Sequence, residues 1–368
     1  GAIGVFFAND FIVLFFFFEL VVWSSLFLIP MGTKRKPTSW YYGFSAFGSF
    51  SLLFAIFIMH GETGTFDITT GLAGVSGFEA GVVFTLMAAA AFAKLGAFPL
   101  HIWLPKVLGS SPDPVTSVFS GGLEKLGAFV AFMAFVRLTP VGTMIDAIGL
   151  TTGQYAIAFL GALTIVFGTL MAIRQDDAKK LLAYSSMSNG GYIILALALM
   201  TDTSISGALY HVLAHALAST AAFLAIGAVA RQTGTTKMSE LGGMIHKMPI
   251  TYLVYLIAII SMAGIPPMGG FISKWLIFQS VISEGLIFLS MATFFGSIGS
   301  FLYVFRPLAA LFLGQELPEY KKTVTEAPLL LLIPMLVLSG LNIYTGVMPN
   351  GILKFINNIL GEVGVNQL

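Results

Sequence analysis

Long apolar runs separated by short polar connections set the pattern of this chain. A membrane-spanning helix needs roughly 20 mainly apolar residues. Ten segments meet that length, over residues 11–29, 41–59, 79–104, 114–138, 154–173, 181–200, 204–230, 249–278, 285–313 and 327–348. The connections are too short to fold as separate aqueous domains. In residues 351–361, Ile352, Phe355, Ile356, Ile359 and Leu360 recur at helical spacing, which predicts a helix lying on the membrane surface, with a frayed tail as the plainer alternative. Residues Gly1–Ala8 are apolar, without the basic start of a secretory signal, and read as the end of another helix. The pattern predicts an all-α polytopic membrane protein.

Composition agrees with the pattern. The 368 residues are 57% hydrophobic and 10% charged, and the mean hydropathy is +0.91. Soluble domains run about 25% charged, so a water-soluble globule and a disordered chain are excluded. The net charge of +1 leaves no basic excess to hold a polyanion, so no nucleic-acid partner is expected. The chain has no Cys, which excludes disulfides, thiolate metal sites and cysteine nucleophiles. No redox or hydrolytic site is legible.

Basic residues in short loops set orientation. They cluster in the loops after the odd-numbered spans: Lys34 to Lys36, Lys106, Arg174 with Lys179 and Lys180, Arg231 with Lys237 and Lys247, and Lys321 with Lys322. The opposite side holds only Arg137 and Lys354. This predicts a cytoplasmic face for the first set, and an outward C-terminus, in a prokaryotic-type inner membrane. Asp176, Asp177, Lys179 and Lys180 are expected to form a solvated loop.

Against this background the charges inside spans stand out. A charged side chain at mid-membrane costs about 2.5–3.5 kcal/mol on insertion scales and by default marks an ion pathway. Away from the segment ends six fall within the spans: Glu19, Lys94, Glu124, Lys125, Lys274 and Arg306. One acid cannot neutralise three buried lysines one for one. Burial disfavours an ammonium and a nearby carboxylate restores it, so moving such a partner loads or unloads a proton. Glu124 sits next to Lys125, and helix neighbours point about 100° apart, so Glu124 is expected to aim elsewhere, at a partner chain for example. Arg306 reads as a structural anchor. His211 and His215 share a helix face at i, i+4. Zinc would need a third ligand and no HExxH pattern occurs, so a packed or hydrated pair fits better.

Two spans are interrupted. One carries Gly96 and Pro99, close after Lys94, and the other carries Pro266, Pro267, Gly269 and Gly270, close before Lys274. Proline removes a helix hydrogen bond, and non-helical backbone at membrane depth is tolerated only inside protein or beside water. Interrupted helices at matching places in two halves point to a transport site. The two lie five spans apart, and a five-helix unit re-enters from the opposite side. This predicts two inverted five-helix repeats: residues 1–139, with the first repeat truncated at its N-terminus, and 140–313, followed by a further span and an amphipathic tail in 314–368.

Five stretches carry a resemblance: FFFFELVVWSSLFLIP (Phe15–Pro30), AKLGAFPLHIWLPKV (Ala93–Val107), DDAKKLLAYSSMSNGGYI (Asp176–Ile193), HVLAHALASTAAFLAIGAV (His211–Val229) and MAGIPPMGGFISKW (Met262–Trp275). Together they resemble the antiporter-like subunits shared by respiratory complex I, Mrp-type Na+/H+ antiporters and membrane-bound hydrogenase and sulfur-reductase complexes. The resemblance implies that Glu19 pairs with Lys94, that Lys125 is the next central lysine, that His211 and His215 link two half-channels, and that Lys274 ends the path. It also implies that the chain binds no redox cofactor. Iron–sulfur, nickel–iron, flavin or quinone groups would belong to partner subunits. The chain departs from many members at Ser219 and Thr220, where a lysine is common, and at Asn189, where His or Gln is common. The function implied is translocation of H+, with H+/Na+ exchange as an extension, in a membrane complex. A stand-alone transporter of an organic solute and an inactive scaffold paralogue are the alternatives.

Overall fold

A computed structural model of the chain describes residues 1–32, 37–138, 144–145, 149–315 and 324–362. Sixteen α-helices occur among them. Two short ones, α1 (Ala2–Phe6) and α4 (Ile68–Gly74), flank the long α2 (Phe11–Leu28) and α3 (Pro37–Thr63). Next come α5 (Gly77–Leu95), α6 (Trp103–Leu108), α7 (Asp113–Val118) and α8 (Lys125–Arg137), then α9 (Thr152–Ile173), α10 (Ala178–Leu199) and α11 (Asp202–Thr233). The remainder are α12 (Pro249–Ala263), α13 (Gly269–Ser283), α14 (Ile287–Pro307), α15 (Leu329–Val347) and α16 (Pro349–Glu362). One exception to an all-helical fold is an antiparallel pairing of Met144–Ile145 with Leu150–Thr151.

Nine helices among the described residues are long and apolar enough to cross a membrane. The eighth predicted span, 249–278, arrives as two pieces, α12 and α13, each of 15 residues. At about 1.5 Å per residue neither piece crosses alone. The predicted 79–104 likewise ends its long helix at Leu95. Polar caps fix where several helices begin. Asp10 accepts from Ile12 N at 2.7 Å to start α2, and Asp67 accepts from Thr70 N at 2.8 Å to start α4. Reciprocal side-chain–backbone pairs, Thr151 with Gln154 and Thr201 with Ser204, start α9 and α11. Each satisfies amides that the helix itself leaves free.

Helices α10 and α11 form the centre. Almost every side chain of α10 is buried. Its approach to α9 depends on small residues: a Cβ on Gly161 would meet Leu195 N at 2.7 Å, and one on Gly191 would meet Ile165 N at 2.8 Å. Backbones come this close only where such side chains are lacking. The outer helices turn large apolar groups outward, among them Phe16, Phe27 and Phe54 on α2 and α3, Phe288 and Leu302 on α14, and Leu330 and Ile333 on α15. Helix α16 lies against α11, with Ile356 and Leu360 buried, Phe355 exposed, and Ser206 Oγ donating to Asn357 Oδ1 at 2.8 Å.

One expectation about loops changes. Lys179 is not solvated: it is buried, donates to Ser111 O at 2.8 Å and pairs with Asp113 at 2.8 Å. It stands in the first turn of α10, directed at the start of α7 instead of at water. Lys34, Arg35, Lys36, Lys321 and Lys322 lie outside the described residues.

Candidate ion path

The two interruptions are built alike. Helix α5 ends on Gly96 at φ 64° and α12 ends on Gly264 at φ 78°. Only glycine takes that left-handed conformation without steric cost. After each, an amide reaches back five residues, Ala97 N to Phe92 O at 3.0 Å and Ile265 N to Ile260 O at 3.1 Å. Three residues beyond each glycine stands a proline preceded by a cis peptide bond, Pro99 and Pro267. The carbonyls freed at the helix ends find unlike donors. Trp103 Nε1 donates to Ala93 O at 2.8 Å, while Lys274 Nζ donates to Met262 O at 2.8 Å. After the second break, Gly269 and Gly270 begin α13, and Gly270 N donates to Ser261 Oγ at 3.3 Å.

The three predicted lysines are all buried. Lys94 lies over the rings of Phe18 and Tyr41, 5.1 and 5.7 Å from their centroids, with Tyr41 Oη at 3.5 Å. Lys125 forms an ion pair with Glu124. Lys274 adds Ser300 Oγ at 3.0 Å to its carbonyl acceptor and sits 5.2 Å from the Tyr192 ring centroid. Helices α5 and α8 pack tightly beside the first two lysines: a Cβ on Gly127 would meet Ala91 O at 2.7 Å and Leu95 N at 2.8 Å.

Between Lys125 and Lys274 runs a polar seam on α10, α11 and α13. The His211 and His215 rings stack with centroids 6.0 Å apart, and Tyr192 lies 5.6 Å from His211. His211 Nδ1 meets Ser273 Oγ at 2.9 Å and its Nε2 meets Asn189 Oδ1 at 3.2 Å. Asn189 Nδ2 donates to Ser185 O at 2.8 Å, and Tyr303 Oη donates to Ser185 Oγ at 3.0 Å. Because a carbonyl only accepts, the Asn189 amide nitrogen must face Ser185. Its oxygen therefore faces His211, and the Nε2–H of the ring donates to it. Among the described residues no three His, Asp or Glu side chains gather as a metal site.

Two predicted relations fail. No ion pair joins Glu19 to Lys94. Phe18 takes the inward position over the ammonium, and Glu19, one residue on, is turned toward α3. There it borders a cavity of about 110 Å³ with Trp23, Tyr42 and Ser49, and its Oε1 has no protein hydrogen-bond partner. Conversely, Glu124 does not aim away from Lys125. Residues Phe119–Leu123 form a π-helical turn, and Glu124 N donates to Phe119 O at 3.0 Å. Glu124 and Lys125 themselves keep helical backbone after the turn, and their long side chains close the gap that the offset between neighbours leaves. Arg306 donates to Ile173 O at the end of α9.

Sequence reasoning missed Tyr41, Trp103, Tyr192, Tyr303, Ser273 and Ser300. The available signal was a hydroxyl or indole N–H within an otherwise apolar span, since buried Tyr and Trp seek a polar partner.

The family model for NADH:quinone oxidoreductase/Mrp antiporter transmembrane regions matches residues 8–300. The chain belongs to this family. It is 31% identical to an Na(+)/H(+) antiporter subunit of Alkalihalophilus pseudofirmus over 95% of this chain and 46% of that protein. Among solved structures, it is similar to a chain of the membrane-bound sulfane sulfur reductase, an archaeal respiratory membrane complex. The TM-score is 0.89 and the identity 38%, over 96% of this chain and 59% of the other. A chain of respiratory complex I from Thermus thermophilus gives a TM-score of 0.84 at 26% identity, over 98% and 76%. The chain spans 46–63% of the length of the first curated relatives it matches. It is a multi-pass membrane protein of the antiporter-like type, and these relatives are subunits of multi-subunit membrane complexes.

Proposed function

We propose that this chain translocates H+, with H+/Na+ exchange as an extension, as one membrane subunit of a larger complex driven by electron transfer or ion exchange in its neighbours. The observation that carries the reading is the set of buried polar groups from Lys125 through His215, His211, Asn189 and Ser273 to Lys274, at the centre of the bundle. A buried ammonium whose partners can change is a natural store for a proton. Glu19 and Lys94 would feed the seam from the first interruption, and Lys274 would end it at the second. The likeness of the two breaks supports inverted repeats over residues 1–139 and 140–313, with 314–368 added. The cavity beside Lys125, about 240 Å³, is lined almost wholly by apolar side chains and lacks the convergent polar groups that would fix an organic solute. Iron–sulfur, nickel–iron, flavin or quinone groups would be held by partner subunits.

In vesicles containing the assembled complex, energised by its electron donor or an imposed Na+ gradient, Lys94→Ala or Glu19→Ala should abolish ΔpH formation while assembly persists. Full ΔpH with either variant would sink the relay. The basic loops would face the cytoplasm. Because the chain has no Cys, Lys237→Cys should react with an impermeant thiol reagent from the cytoplasmic side only. Reaction from the outside alone would reverse the topology.

A further inference from the structure

The surroundings of Lys125 contain a group that the path so far does not use. Glu124 is 2% exposed and Lys125 is 3% exposed. They form an ion pair through Glu124 Oε1, while Glu124 Oε2 is buried with no protein hydrogen-bond partner. His215, 3% exposed, has neither ring nitrogen partnered by protein. His215 stands on α11, which packs against this turn: a Cβ on Gly121, three residues before Glu124, would meet Ala216 O of α11 at 3.3 Å. Next to the ammonium lies the apolar cavity bordered by Phe6, Phe129, Phe132, Leu197 and Val212. Among the described residues Lys125 pairs with no other carboxylate, because Glu19 is turned away and Lys94 faces aromatic rings.

We propose that Glu124 is the proton-binding site that loads Lys125, and that it does so as the resident counter-ion of that lysine. The inference rests on the reading of the chain as a proton path, and it adds to Glu19 and Lys94 a second carboxylate–ammonium switch made of two sequence neighbours. A proton arriving at Oε2 forms an O–H bond and converts the carboxylate to a neutral acid. The ammonium then has no counter-charge in an apolar site, which favours its neutral form. Its N–H bond breaks, and the proton forms an N–H bond at the lone-pair nitrogen of His215. The proton of the acid next passes to the neutral amine and restores the ion pair. One proton has entered at Glu124 and one has left at His215.

The π-helical turn Phe119–Leu123 suits this task. Such turns occur mostly as single-turn insertions within α-helices and frequently at functional sites, and here one stands immediately before Glu124.

Other ionisable groups near the pair are few. Helix α11 presents His215 and His211, both under the charge of Lys125, and α13 presents Lys274, which also acts on both rings. Helix α5 presents Lys94. Helix α10 presents Tyr192, bonded to Thr293 O, and its Lys179 is paired with Asp113 of α7. Helices α1 and α4 contain no ionisable side chain.

The test compares proton flux across pH 6–9 in liposomes holding the complete complex, with wild type, Glu124→Gln, Glu124→Asp and the double variant E124Q/K125Q. Absence of flux in wild type would fail the proposed function itself and is scored separately. Given wild-type flux, E124Q should lower it roughly tenfold at neutral pH and move its optimum to lower pH by about one unit or more, because an opposite charge within reach shifts a titration by that much. E124D keeps the carboxylate and should restore most of the flux. A static structural pair predicts otherwise: E124Q would then keep the wild-type optimum, and that result overturns the proposal. Should E124Q fail to assemble, the double variant decides. The proposal expects it to accumulate at wild-type level without pumping. A double variant that pumps, or that also fails to accumulate, overturns it.

Discussion

A buried ammonium needs either a counter-charge or neutral acceptors, and the three lysines of this chain meet that need in three ways. Lys94 uses aromatic faces and a tyrosine hydroxyl, Lys125 a carboxylate, and Lys274 a carbonyl with a serine hydroxyl. Cation–π contacts are worth about 2 kcal/mol or more when desolvated, so Lys94 is held without Glu19. All three lysines and both histidines are legible in the sequence, because a charge or an imidazole within an apolar span is conspicuous. Their partners are not legible, because a tyrosine or serine in a span has many bland explanations. The directions of Glu19 and Glu124 also differ from expectation, because which neighbour packs inward on α2, and whether two adjacent long side chains reach back to each other, is set by tertiary packing and not by helical period. Trp103 is one such hidden partner. Trp103→Phe leaves Ala93 O buried without its donor, and losing such a partner costs about 1–3 kcal/mol. Thermal unfolding of the purified protein in detergent should show a lower midpoint for this variant. An unchanged midpoint would mean that the break is capped by other means.

At the level of elements, the helices and both interruptions follow from the sequence. Apolar length identifies the spans, and Gly96, Pro99, Pro266 and Pro267 mark where they fail. The consequence for α12 and α13 is less clear from sequence. A single run over 249–278 reads as one crossing but is two half-length helices, because the stretch from Gly264 to Met268 offers neither helical φ nor a full set of amides. The π-helical turns at Phe119–Leu123 and Leu308–Leu313 have no local sequence signature that separates them from α-helix. The pairing of α9 with α10 does have one, in the glycines spaced along both helices. Gly191→Leu would drive a side chain into the α9 backbone at Ile165. Overpacking of this kind costs about 1–3 kcal/mol, so lower accumulation in membranes and earlier unfolding are expected. A variant as abundant and as stable as wild type would show that the two helices can part there.

For the molecule as a whole, the decisive feature is where polarity is placed. The lipid-facing surface of α2, α3, α14 and α15 is apolar, and the polar side chains gather on α10, α11 and α13, which the other helices enclose. Such an arrangement gives little stability, since buried charges cost free energy unless they are paired and hydrogen-bonded. On the proposed function its value is that it would supply sites whose protonation can change along the middle of the bundle. The fold class is legible because the bilayer allows so few backbone solutions. The continuity of the seam is not, because it is made of residues from helices distant in sequence, Asn189, His211 and Ser273 among them. The central claim is that protons move along this seam between the two interruptions. The most direct test is proton flux in vesicles holding the intact complex with Lys274→Ala, at an assembly level matched to wild type. The account predicts loss of ΔpH formation in this variant, as in Lys94→Ala. Wild-type flux with Lys274 removed would contradict it.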